Sequence, residues 1–134
     1  MLRRARVALG SYAARIHPEV DLAAYTLLLA VRDAVAEVSD GPVRAADLAA
    51  RLGLHKSTLS RGLAQLETLG LVERHPDPSD ARARLVALSP DGARRLNQVT
   101  SERRARLSAV LDRWDDADLA TLARLLDRLN SDLE

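Results

Sequence analysis

Residues 45–70 read AADLAARLGLHKSTLSRGLAQLETLG, and two glycines punctuate them. Gly53 and Gly70 stand where helices commonly end, because glycine enters the left-handed conformation of a helix C-terminus without steric cost. The first segment, about Ala45 to Leu52, is a short helix. The second, about Lys56 to Leu69, repeats Leu59, Leu63, Leu66 and Leu69 at spacings of three and four, the stripe of a helix with one buried face. Only Gly53, Leu54 and His55 separate them. So short a connection forces two short helices to meet at a sharp angle, the helix-turn-helix arrangement.

Past Gly70 the period changes. Leu71 to His75 reads as a short strand, Pro76-Asp77-Pro78-Ser79-Asp80 as a turn, and Arg82 to Leu88 as the return strand. A hairpin directly after the second helix of such a pair is a wing. Upstream, Leu2, Ala5, Leu9, Ala13 and Ile16 mark a helix that His17-Pro18 stops, since the residue before proline avoids helical dihedrals. A second helix runs from about Leu22 to Val38, with Asp21 as N-cap and Asp40-Gly41-Pro42 as its end. Downstream, Ser89-Pro90 places a capping hydroxyl and a first-turn proline at the start of a long helix. Its apolar face continues to Trp114, which is expected to pack between this helix and the next. Asp115 caps the last helix, with Asp118 three residues on. Leu119, Leu122, Leu125, Leu126, Leu129 and Leu133 follow on one side.

The fold expected is mainly α with a small β-hairpin wing. It is a winged helix-turn-helix lobe at about 21–88, inside a single domain of residues 1–134. Residues 1–17 and 90–134 supply extra helices whose apolar faces have little domain core to cover. A dimer would bury them, so these are expected to be dimerisation helices.

Composition excludes several classes. With 47% apolar and 29% charged residues the chain is globular, and with 2% aromatics and no Phe its core is built from Leu, Val and Ala. There is no Cys, hence no disulfide frame or thiol site. No apolar run is long enough for a membrane span, and no signal peptide is evident, so a cytoplasmic protein is expected. No Gly-rich phosphate loop, HExxH or nucleophile elbow occurs. His17, His55 and His75 fall on three different elements, which does not suit a metal site. Capping explains the cluster Asp115, Asp116 and Asp118 better than acid–base work does. The expectation is a protein that is not an enzyme and has no cofactor.

Charge distribution is more informative than the net +1. Residues 44–95 carry nine bases against six acids, between acidic flanks. The second helix of the pair presents Lys56, Ser57, Thr58, Ser60, Arg61 and Gln65, with no acid before Glu67. Such a face can donate and accept hydrogen bonds in a DNA major groove. Arg82 and Arg84 lie at or near the wing tip, where a guanidinium suits a narrow minor groove. Asp80 can pair with Arg82 and orient it. A winged helix that has become a protein–protein module is the alternative reading.

The segments Ala46-Asp47-Leu48-Ala49-Ala50-Arg51-Leu52-Gly53-Leu54, Ser57-Thr58-Leu59-Ser60-Arg61-Gly62-Leu63 and Leu66-Glu67-Thr68-Leu69-Gly70-Leu71-Val72-Glu73-Arg74 carry a likeness. So does the wing Asp77-Pro78-Ser79-Asp80-Ala81-Arg82, followed by Leu85-Val86-Ala87-Leu88-Ser89-Pro90-Asp91-Gly92. Over essentially its whole length the chain resembles the multiple-antibiotic-resistance regulator (MarR) family. The resemblance implies a homodimer on a pseudo-palindromic double-stranded operator, usually a repressor. It implies Ser57, Thr58, Ser60, Arg61 and Gln65 in the major groove and Arg82 in the minor groove. It also implies a pocket for a small aromatic or anionic effector near Tyr12, Arg15, His17 and Tyr25, residues that equally suit dimer packing around a solvated Arg15. The chain departs from the family at Arg44 and His55, where members usually have Ser, Thr or Asp. Both helices then lose their best cap. Arg44 can instead touch phosphate, and other groups or water can equally satisfy these helix ends.

Overall fold

A computed structural model describes residues 10–38 and 41–133. Its elements are helix α1, described over residues 10–16, then α2 (Leu22–Glu37), strand β1 (Val43–Arg44), α3 (Ala45–Leu52), α4 (Lys56–Thr68), β2 (Val72–Asp77), β3 (Asp80–Leu88), α5 (Pro90–Leu111) and α6 (Asp116–Leu133). The helix expected over Leu2 to Leu9, and Asp40 in the turn after α2, lie outside the described residues. None of the helices described is long and apolar enough to cross a membrane.

Local chemistry sets the boundaries. The Asp21 carboxylate accepts from the Ala24 N–H at 2.8 Å and starts α2. Gly53 at φ 61° and Gly70 at φ 70° end α3 and α4. Beyond each, an N–H reaches back five residues, Leu54 to the Ala49 carbonyl at 3.0 Å and Leu71 to the Leu66 carbonyl at 2.9 Å. At α6 the Asp115 carboxylate takes the Asp118 N–H at 2.8 Å.

The wing is part of a three-stranded antiparallel sheet in the order β1-β3-β2. Sequence reading gave no strand before α3. β1 is two residues long, too short to show alternation, and it forms because Val43 and Arg44 pair with Val86 and Leu85. The hairpin is also longer than the sequence suggests, with Pro78-Ser79 alone as its turn. Pairing runs regularly from Val72↔Leu88 to Pro76↔Arg84 and then jumps to Asp77↔Asp80. Residues 81–83 therefore face no partner on β2, an irregularity placed where Pro76 has no N–H to offer.

The chain forms two compact units, one ending at Val99 and one beginning at Thr100. In the first, a single core joins Ala13 and Ile16 of α1 to Leu28 and Val31 of α2, Leu48 of α3, Leu63 and Leu66 of α4, Leu71 and Val86 of the sheet, and Leu96 and Val99 of α5. The described end of α1 and the start of α5 thus cover domain core after all. In the second unit α6 buries none of its residues within the chain. Trp114 is also exposed rather than packed away.

Candidate nucleic-acid interface

The position of α4 is set from both ends and from beneath. Leu59, Leu63 and Leu66 are buried. At Gly62, a Cβ would come within 2.8 Å of a Leu27 methyl, so α4 lies close on α2. At the N-terminus the best cap type is absent, but His55 caps the helix itself: its Nδ1 accepts from the Ser57 N–H at 3.2 Å and contacts the Ser57 hydroxyl at 2.8 Å. Imidazole substitutes for the usual hydroxyl or carboxylate because the lone pair on Nδ1 reaches the same orphan amide.

Lys56, Ser57, Thr58, Ser60, Arg61 and Gln65 are all exposed on α4, but they face different ways. Lys56 and Ser60 line a cleft of about 240 Å³ shared with the wing and the start of α3. Arg44, Arg74, Arg82 and Arg84 also line it, above Ala49, Leu59 and Leu63, and no acid does. Thr58 and Gln65 line a second, more apolar cleft on the α2 side. Gln65 donates to the Glu19 carbonyl at 3.2 Å, so its amide is tied to the corner between α1 and α2. Ser57 and Arg61 belong to neither lining, and the Arg61 Nε lies 3.3 Å from the Ser57 carbonyl.

The basic residues of the first cleft differ in freedom. Arg74 pairs with Glu67 of α4 and is half-buried. It is not among the residues expected from sequence, and the signal available is Glu67 seven residues earlier, in the last residues of α4 just before the Gly70 turn. Arg44 does not cap α3; its Nε donates to Asp77 at 2.7 Å and its Nη2 to the Ser79 hydroxyl at 3.1 Å. Arg82 and Arg84 are exposed. The Asp80 carboxylate takes the backbone N–H of Arg82 at 3.0 Å, and among the described residues no ion pair joins the two side chains. Asp80 thus orients the Arg82 backbone and not its guanidinium. The Asp77 carboxyl is held below the ordinary carboxylate range by the Ser79 N–H and hydroxyl first and by Arg44 after them, against an opposing push from desolvation.

The four residues expected near an effector are not gathered in any of these clefts. Tyr25 is fully buried in the core, and among the described residues its hydroxyl has no hydrogen-bond partner. Tyr12 packs against the same core. The Nδ1 of His17 accepts from the Glu19 N–H at 3.1 Å, and Arg15 is exposed.

A family model described as MarR family matches residues 20–83. An uncharacterized HTH-type transcriptional regulator of Bacillus subtilis, YxaD, is 36% identical over 90 residues, 67% of this chain and 63% of the relative. The chain thus spans less than two thirds of the length of that curated relative. Among solved structures, RV1404 from Mycobacterium tuberculosis superposes with a TM-score of 0.81 at 25% identity, covering 97% of this chain and 86% of that one. A MarR mutant from E. coli complexed with operator DNA superposes with a TM-score of 0.64 at 26% identity, covering 96% and 88%.

Proposed function

Because the chain belongs to the MarR family, whose transcription regulators bind DNA and are not enzymes, we propose that it binds double-stranded DNA sequence-specifically as a homodimer. The observation that carries this reading is the cleft between α4 and the wing, where Lys56, Arg82 and Arg84 stand exposed beside Arg44 and Arg74, which are held in ion pairs with Asp77 and Glu67. Positive side chains converging on one concave surface suit a phosphate backbone. Outside that lining, Ser57 and Arg61 stand exposed on α4. In this reading α4 enters the major groove and Arg82 the neighbouring minor groove.

The dimer is supported by Leu107, Leu125, Leu126, Leu129 and Leu133, exposed side chains of the second unit that a second copy would cover. Regulation as a repressor, released by a small aromatic or anionic effector, completes the proposal.

Two substitutions test the interface. Arg61→Ala is expected to cost about 1–3 kcal/mol, concentrated at one symmetric pair of operator positions, if the guanidinium reads a guanine edge. Arg82→Ala is expected to lower the slope of log affinity against log salt by about one per half-site. A protein module that does not use DNA would tolerate both, and its binding would lack a steep salt dependence.

A further inference from the structure

The wing tip is poorly held by its own backbone. Pro76 and Pro78 have no N–H, and residues 81–83 have no partner on β2. What closes the tip is a ring of side chains. One oxygen of Asp77 accepts from the Ser79 N–H at 2.8 Å and the Ser79 hydroxyl at 2.7 Å. The other accepts from Arg44 Nε at 2.7 Å, and Arg44 Nη2 returns to the Ser79 hydroxyl at 3.1 Å. Asp77 is 7% exposed and Arg44 45%, so the carboxylate is the inner partner and the guanidinium the outer one. Arg44 stands on β1, immediately before α3, and the ring therefore joins the base of the helix-turn-helix to the tip of the wing.

We propose that Arg44 is a positioning residue for the wing: through Asp77 and Ser79 it fixes the reach of the tip, and so of Arg82, from α4. This rests on the DNA-binding reading above. The charge of Arg44 is already answered by Asp77, which distinguishes it from Arg82, whose guanidinium makes no ion pair among the described residues. Discrimination between flanking sequences then depends on a side chain that need not touch DNA. The geometry also requires arginine itself. Lysine keeps the charge but presents a single ammonium, without the fork that engages Asp77 and Ser79 together.

The test compares wild type, Arg44→Lys, Arg44→Ala, Asp77→Asn, the Arg44→Lys/Asp77→Asn pair and Arg82→Ala. Affinity is measured for duplexes with A·T-rich and G·C-rich flanks over a series of salt concentrations. Amide hydrogen exchange at Ser79 is followed in the free proteins. The expected result is that Arg44→Lys and Asp77→Asn each reduce flank preference towards that of Arg82→Ala, and that the pair does no more than either alone. The salt slope of Arg44→Lys should fall no further than that of Arg82→Ala, and its Ser79 amide should exchange at least about tenfold faster. Two outcomes overturn the proposal. One is wild-type flank preference in Arg44→Lys with a reduced salt slope in Arg44→Ala, which would make Arg44 a phosphate contact. The other is unchanged Ser79 exchange in Arg44→Lys and Asp77→Asn. Absence of DNA binding by the wild type would instead sink the functional reading, whatever the exchange rates report about the ring.

Discussion

Gly92 occupies a position where a Cβ would fall 2.0 Å from the carbonyl oxygen of Leu71. The contact is backbone against backbone, so no rotamer can relieve it. Around it the Ser89 hydroxyl accepts from the Gly92 N–H at 2.9 Å and donates to the Gly70 carbonyl at 2.5 Å, while the Ser89 N–H donates to the Leu71 carbonyl at 3.0 Å. Ser89-Pro90-Asp91-Gly92 is therefore both a helix start and the joint that seats α5 on the end of α4. Gly92→Ala is expected to cost about 3 kcal/mol in urea unfolding, the upper end for an overpacked site. Gly62→Ala meets only a Leu27 methyl, which can rotate, and gains the higher helix propensity of alanine, so its net effect should stay within about 1 kcal/mol of zero. Equal losses at the two glycines would contradict the distinction drawn here. The capping half of this joint was legible in the sequence, because Ser-Pro announces a helix start. The close approach to Leu71 was not, because nothing local to Gly92 records which strand will pass beside it. His55 is a similar case: residue type alone ranks it as a poor cap, and only its rotamer puts Nδ1 on the Ser57 amide.

The wing shows how turn chemistry reads well and pairing reads poorly. Prolines and aspartates located the hairpin, but the two-residue β1 exists only through its register with Val86 and Leu85. The same gap in reading hid the role of Arg44, whose partners lie 33 and 35 residues away. On α4 the polar face was legible, yet its division was not. Lys56 and Ser60 turn towards the wing, and Gln65 is tied back to Glu19. A pH dependence belongs to this element. Asp77 has its carboxyl lowered in the folded chain, so the stability it lends is complete above the ordinary carboxylate range and is lost as pH falls through the lowered value. Glu37, paired with Arg51, and Asp91, paired with Arg94 and Arg95, are lowered too and add to the same acid limb. Thermal unfolding followed from about pH 5 downwards should therefore fall less steeply in Asp77→Asn than in wild type, where ordinary carboxylates titrate near 4. Parallel curves would show that the ring at the wing tip is not formed in solution.

Taken whole, the chain places a basic cleft in one unit and a helix without buried residues in the other. The first asks for a polyanion and the second for a covering partner, and a two-fold pair of chains on duplex DNA answers both. Leu126→Glu puts a charge on the exposed leucine side of α6, and it should shift light-scattering mass from dimer to monomer at micromolar concentration and weaken DNA binding together. A monomeric variant with undiminished DNA binding would separate the two properties. The most direct test of the central claim is selection of bound duplexes from a random-sequence pool, followed by sequencing. The account expects enrichment of a pseudo-palindrome whose half-sites lie about one helical turn apart, centre to centre, with two chains bound per site. Recovery of a pool no different from the input, or of a single asymmetric half-site occupied by one chain, would contradict it.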